Sequence, residues 1–115
     1  MFNGIIYHQG TIKKILKRKN GINLFINTNI NLTQKDLGIS IACNGICLTL
    51  ISVKKKLFEF YLSHETIKRS NFRKSKFGDK INLELPIKFG QKISGHLCQG
   101  HVDTVAKVNK ITKRD

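Results

Sequence analysis

Apolar residues along this chain fall into short runs separated by Gly, Asn or Lys clusters at spacings of roughly 8 to 15 residues, a rhythm that predicts strands and turns. The expected strands are Gly4 to Leu16, Ile22 to Thr28, Ser40 to Cys43, Ile46 to Val53, Leu57 to Ser63 and Lys80 to Leu85. The fifth run alternates most clearly. Leu57, Glu59 and Tyr61 share one face, and Phe58, Phe60 and Leu62 the other. Asn44-Gly45 separates the third and fourth runs, a dipeptide that accepts the positive φ of a tight hairpin. His64 to Phe72 predicts a short helix, with Glu65 in its first turn and basic residues beyond. Pro86 ends the last strand. Six strands with short antiparallel connections predict an all-β fold, a small closed barrel without exposed sheet edges.

The end of the chain repeats its beginning. Gly100 to Ile111 (GHVDTVAKVNKI) overlays Gly4 to Ile15 (GIIYHQGTIKKI) without a gap, with identities at Gly4/Gly100, Lys14/Lys110 and Ile15/Ile111. Ile6/Val102, Gly10/Ala106 and Ile12/Val108 are similar pairs. The windows are separated by about one small domain's worth of sequence. The expected organisation is therefore a barrel over residues 1–90, followed over 91–115 by a connector and the first strand of an incomplete second barrel.

A length of 115 residues with 40% hydrophobic content suits one core. Three cysteines, an odd number with no secretory signal at the start, point to reduced thiols and a cytoplasmic protein. No apolar run approaches the roughly 20 residues that span a bilayer. The formal charge of +14 raises nucleic acid as a partner. However, the basic clusters Lys17-Arg18-Lys19 and Lys54-Lys55-Lys56 sit at expected turns, where solvated faces are the ordinary reading. Aromatic residues make up only 8% and form no stacking stripe among the basic ones, so a barrel binding single-stranded nucleic acid is the weakest alternative.

Cys43, Cys47 and Cys98 accompany His96 and His101, but no paired Cys-x2-Cys supplies the closed ligand set that structural zinc requires, and no metal is expected. No Gly-rich phosphate loop or Ser-His-Asp order is present.

Four motifs resemble one family. Met1-Phe2-Asn3-Gly4-Ile5-Ile6 is similar to the N-terminal signature of riboflavin synthase, and Asn44-Gly45-Ile46-Cys47-Leu48-Thr49 to its central hairpin. His64-Glu65-Thr66 with Ser70-Asn71 resembles its helix segment, and Gly95-His96-Leu97 with Gly100-His101-Val102-Asp103 the junction into its second barrel. The chain departs from the pattern at Ser63-His64, where a proline is usual, at Phe72-Arg73 and at Ser94.

The resemblance implies a six-stranded antiparallel Greek-key barrel with a short helix. It also implies a cofactor-free dismutation of two 6,7-dimethyl-8-ribityllumazine molecules to riboflavin and a ribitylaminopyrimidinedione. In the family each barrel holds one such molecule, and the reacting pair meets between barrels of neighbouring subunits. The family enzyme is a trimer, and this barrel alone is expected to pair as a homodimer. The resemblance carries substrate binding to Gly4, Ile5 and Ile6, to Cys47, Leu48 and Thr49, to the run Tyr61, Leu62, Ser63, His64, Glu65 and Thr66, and to Gly100, His101 and Val102. It places Ser40, Cys47, His96 and His101 nearest the reacting carbons, with the histidines as proton carriers. A non-catalytic flavin- or lumazine-binding module is the alternative reading.

Overall fold

The computed structural model describes all 115 residues. Six strands, β1 (His8–Arg18), β2 (Gly21–Thr28), β3 (Ser40–Cys43), β4 (Ile46–Lys54), β5 (Leu57–Ser63) and β6 (Lys80–Glu84), close into a barrel in the order β1-β2-β5-β4-β3-β6. Every pairing is antiparallel, and β6 returns to β1 to complete the ring. Consecutive strands pair in the β1–β2, β3–β4 and β4–β5 hairpins, while β2–β5 and β3–β6 are the crossovers of a Greek key.

Alternation fills the barrel. Phe58, Phe60 and Leu62 on β5 are fully buried, as are Leu24 and Ile26 on β2, Ile41 and Cys43 on β3, and Leu50 on β4. Phe60 stands opposite Leu24 on one side and Leu50 on the other, so it is central to the core. At Gly10 a Cβ would lie 2.4 Å from Ile26 Cγ2, so only glycine lets β1 pass this close to β2.

Turns follow the residue chemistry. Asn44 and Gly45 take φ values of 50° and 81°, as the hairpin between β3 and β4 requires. Lys55 takes φ 58° in the turn between β4 and β5, so the lysine cluster there is a solvated turn. The helix α1 (His64–Arg69) is shorter than expected. The expected helix to Phe72 breaks at Ser70, whose hydroxyl accepts from Phe72 N and starts a 3-10 turn over Asn71–Lys74. Phe72, 2% exposed, joins the core cluster from there.

Two further expectations change. The first strand does not begin at Gly4; Gly4 has φ +78°, and the chain before His8 turns back over the outside of β6. Residues 99–115 carry no helix or strand, so the expected strand over Gly100 to Ile111 is not formed within this chain. Antiparallel neighbours stabilise a strand, and this segment has none beside it. Its Val105, Val108 and Ile111 are exposed. No helix is long and apolar enough to cross a membrane.

Candidate functional site

The site is built on the outside of the barrel, where β3, β4 and β6 meet. The β3–β4 register sets Ser40 opposite Thr49 and Ala42 opposite Cys47, and Ala42 also faces Glu84 of β6. Since Ile41, Cys43, Leu48 and Leu50 point into the core, the intervening Ser40, Ala42, Cys47 and Thr49 share the outer face.

Two segments roof this face. The N-terminal residues lie against β6, with Phe2 buried to 1% exposure. The segment 95–102 crosses beside them: Phe2 N donates to Cys98 O and Cys98 N to Phe2 O, both at 2.8 Å, and His96 N donates to Asn3 O at 3.0 Å. Beyond this bridge Gly100 O accepts from Cys47 N at 2.8 Å, which ties the segment to the start of β4. Gly100 has φ +81°.

Two lobes open on either side of the Gly100–Val102 strap. The larger, about 510 Å³, is walled by Phe2, Gly4, Ile6, Ala42, Gly45, Glu84, Cys98 and Gln99. The smaller, about 240 Å³, lies between Ile46 and Cys47 of β4 and Glu65, Thr66, Arg69 and Ser70 from the helical segment. Gly100, His101 and Val102 line both. Helix α1 is aimed by its caps: Ser63 Oγ accepts from Thr66 N at 3.2 Å, and Thr66 Oγ1 stands 3.1 Å from the same hydroxyl. Glu65 and Arg69 form an ion pair at 2.5 Å with both side chains more than half exposed, a pair of modest strength that a ligand can rearrange.

The expected residues divide accordingly. Gly4, Ile6, Cys47, Glu65, Thr66, Gly100, His101 and Val102 come together around the lobes. Leu48 and Leu62 do not present side chains there. Their parity points them into the barrel, at 5% and 0% exposure, so only their backbone is left for a ligand. Ser40 and Thr49 continue the outer face beyond Cys47 but wall neither lobe. Ile5 packs beside Gly95, Ser63 is occupied as a cap, and Tyr61 donates its hydroxyl to Asn20 O at 2.9 Å. His64 and His96 are exposed outside both lobes. Cys43 and Cys47 lie on opposite faces of the hairpin, because the intervening turn preserves the alternation. Burial pushes the Cys43 thiol well above its ordinary range, with a smaller push from Cys47, so Cys43 stays a protonated core residue.

Phe2, Ala42, Glu84, Cys98, Arg69 and Ser70 are site residues that sequence reasoning missed. One signal was present. Lys80-Ile81-Asn82-Leu83-Glu84 alternates strictly, which turns Glu84 outward beside Ala42.

The comparisons with known proteins agree with this architecture. A family model described as the lumazine binding domain matches residues 3–86. The riboflavin synthase of Photobacterium leiognathi is 37% identical over 109 residues, covering 94% of this chain and 50% of that protein. The riboflavin synthase of Bacillus subtilis is 36% identical over 114 residues, covering 99% of this chain and 53% of that protein. This chain thus spans about half the length of these relatives. Among solved structures, LumP complexed with flavin mononucleotide superposes with a TM-score of 0.79 at 29% identity, covering all of this chain and 65% of LumP. LumP complexed with 6,7-dimethyl-8-(1'-D-ribityl) lumazine gives the same TM-score at 28% identity, covering all of this chain and 64% of LumP. With the family model spanning the barrel from Asn3 to Pro86, and the fold and cleft in accord with it, the chain belongs to the lumazine-binding domain family.

Proposed function

We propose that this chain is the N-terminal, lumazine-binding part of a riboflavin synthase, and that the two-lobed cleft on the outer face of β3 and β4 holds one 6,7-dimethyl-8-ribityllumazine or riboflavin. The observation that carries the reading is the cleft itself: a mainly apolar lobe and a lobe of mixed polarity share one strap in a chain of this family. Together the lobes offer the mixture a ribityl-bearing heterocycle needs, apolar walls for the ring and convergent hydroxyl and charged groups for its polar parts. The reaction consumes two such molecules, one giving a four-carbon unit to the other to leave riboflavin and 5-amino-6-ribitylaminouracil. Its physical demand is orientation, and holding two reactants in register supplies on the order of 7 to 11 kcal/mol toward the barrier.

Of the four residues proposed near the reacting carbons, His101 lines both lobes and Cys47 the smaller one, so His101 is assigned the proton transfer, a contribution of typically 10²- to 10⁴-fold. Ser40 and His96 stand farther out and are assigned to the edge facing a second ligand. That second ligand needs a second barrel. The segment 91–115 is proposed to lead into it, with Val108 and Ile111, the counterparts of Ile12 and Ile15 in the repeat, as the apolar positions its first strand would bury. In a chain without that barrel two copies are proposed to pair through the same face; sedimentation at high micromolar protein is expected to give a homodimer, and a monomer with and without riboflavin would contradict the pairing.

Thr49→Val tests the reach of the ligand along the outer face. Thr49 is exposed, so its hydroxyl contributes little to the fold. Loss of its hydrogen bond to a polar ring edge is expected to weaken riboflavin binding by about 1 to 3 kcal/mol with the unfolding midpoint unchanged. Unchanged affinity would remove Thr49 from the site. A second reading is a flavin- or lumazine-binding module without chemistry, and the likeness to LumP complexed with flavin mononucleotide and with the lumazine suits it equally. Prolonged incubation of the lumazine with the chain, with and without a supplied second barrel, separates the two by the appearance of riboflavin.

A further inference from the structure

We propose that Glu84 is the positioning residue of this cleft, the group that fixes the N-terminal turn and through it the wall of the larger lobe. The inference rests on the lumazine-binding reading for its ligand but on the geometry of Glu84 for its substance. Glu84 ends β6 on the outer face, opposite Ala42. An outward glutamate on so basic a surface ordinarily stands in water, yet this one is 7% exposed. Neither ion pair of the molecule involves it. Its partners are backbone donors instead: Asn3 N donates to Oε2 at 2.6 Å, and Gly4 N to Oε1 and Oε2 at 3.1 and 3.2 Å.

A buried carboxylate persists where hydrogen bonds replace its water, and bonds to an ionised acceptor are roughly twice as strong as neutral ones. Here they are the side-chain bonds to a turn whose other hydrogen bonds are backbone ones, to Ile87, His96 and Cys98. Gly4 sits at φ +78°, and Asn3 Oδ1 is buried without a partner. From that turn the contacts run outward in sequence. Phe2 exchanges two hydrogen bonds with Cys98, Asn3 O accepts from His96 N, and the strap then reaches Cys47 through Gly100. Glu84 is thus the first link of a ring that closes around the larger lobe, and it lines that lobe with Phe2, Gly4, Ala42 and Cys98.

The test compares the unsubstituted chain with E84Q and E84D, reading riboflavin affinity by fluorescence, the urea midpoint, and backbone amide resonances. E84Q keeps the size but has a single acceptor oxygen and sets an NH2 against a backbone N–H. It is expected to weaken riboflavin binding by roughly tenfold to a hundredfold, the loss of charge-assisted hydrogen bonds. The Asn3, Gly4 and Cys98 amide resonances should move while those of β2 and β5 stay. E84D retains the charge and should recover part of the affinity; it also carries the same readouts should E84Q fail to fold. A folded E84Q that binds riboflavin within twofold of the unsubstituted chain, with its Asn3 and Gly4 amides unmoved, overturns the proposal. Absence of riboflavin binding by the unsubstituted chain refutes the lumazine-binding reading instead. In that event moved amides in E84Q uphold the positioning role and unmoved ones overturn it.

Discussion

Replacing Gly100 by valine is expected to weaken riboflavin binding by about 30-fold, or about 2 kcal/mol, while leaving the barrel's unfolding midpoint nearly unchanged. Two features of the strap combine in that figure. Gly100 sits at φ +81°, where an L-residue pays roughly 1 to 2 kcal/mol and a β-branched one is a genuine outlier. A Cβ there would also lie 2.9 Å from both the amide nitrogen and the Cβ of Cys47, closer than real contacts allow. The strap must lift, and the bond from Cys47 N to Gly100 O goes with it. Both lobes share the Gly100–Val102 wall, so both open at once. The interior depends little on Gly100, since the core cluster is drawn from the six strands, Ile30 and Phe72, and from the strap only the half-buried Val102 packs against it. Affinity measured by fluorescence titration beside a urea unfolding curve separates the two effects. Equal affinity in the valine variant would mean that the strap does not wall the ligand site.

The opposite pattern is expected of Phe60→Ala, which should lower stability by about 3 to 5 kcal/mol, the range for truncating a buried aromatic residue. Phe60 is fully buried between Leu24 and Leu50, where three strands converge. The ring is held by β2 and β4 from both sides, and a closed barrel cannot collapse one strand inward without breaking ladder bonds on both flanks. The cavity therefore stays largely open. A loss of this size is a large fraction of a small domain's total stability, so riboflavin added in excess should shift the variant's unfolding midpoint upward by mass action. A urea midpoint within experimental error of the unsubstituted chain would contradict the placement of Phe60 at the centre of the core.

Much of the barrel was legible because a half-buried strand writes its own period. The runs Ser40 to Cys43 and Leu57 to Ser63 coincide with β3 and β5, and β2, β4 and β6 differ from expectation by one residue at one end. Alternation grouped Phe58, Phe60 and Leu62 on one face, and that face is the one turned into the core. The site was legible only in part. The motifs identified Cys47, Thr66, Gly100, His101 and Val102, which do converge. Leu48 and Leu62, from the same contiguous runs, offer only backbone on the outer face, since a strand turns every second side chain to the core.

The remainder depended on contacts between distant parts of the chain. Glu84 and Asn3 are separated by most of the barrel, and nothing local in Lys80-Ile81-Asn82-Leu83-Glu84 says that the outward glutamate will be covered. The window Gly4 to Leu16 reads as a strand throughout, but its first residues meet the carboxylate of Glu84 rather than a ladder partner, and the regular strand starts at His8. The copy of that window at Gly100 likewise needs neighbours to become a strand; here it begins as a strap over the site.

The central claim is that one ring-and-ribityl ligand sits under this strap, and the most direct measurement is a fluorescence titration of the chain with riboflavin and 6,7-dimethyl-8-ribityllumazine. Saturable binding of both, with one ligand per chain and competition between them, is the predicted result. Emission of both ligands unchanged up to a large excess of protein would contradict the claim.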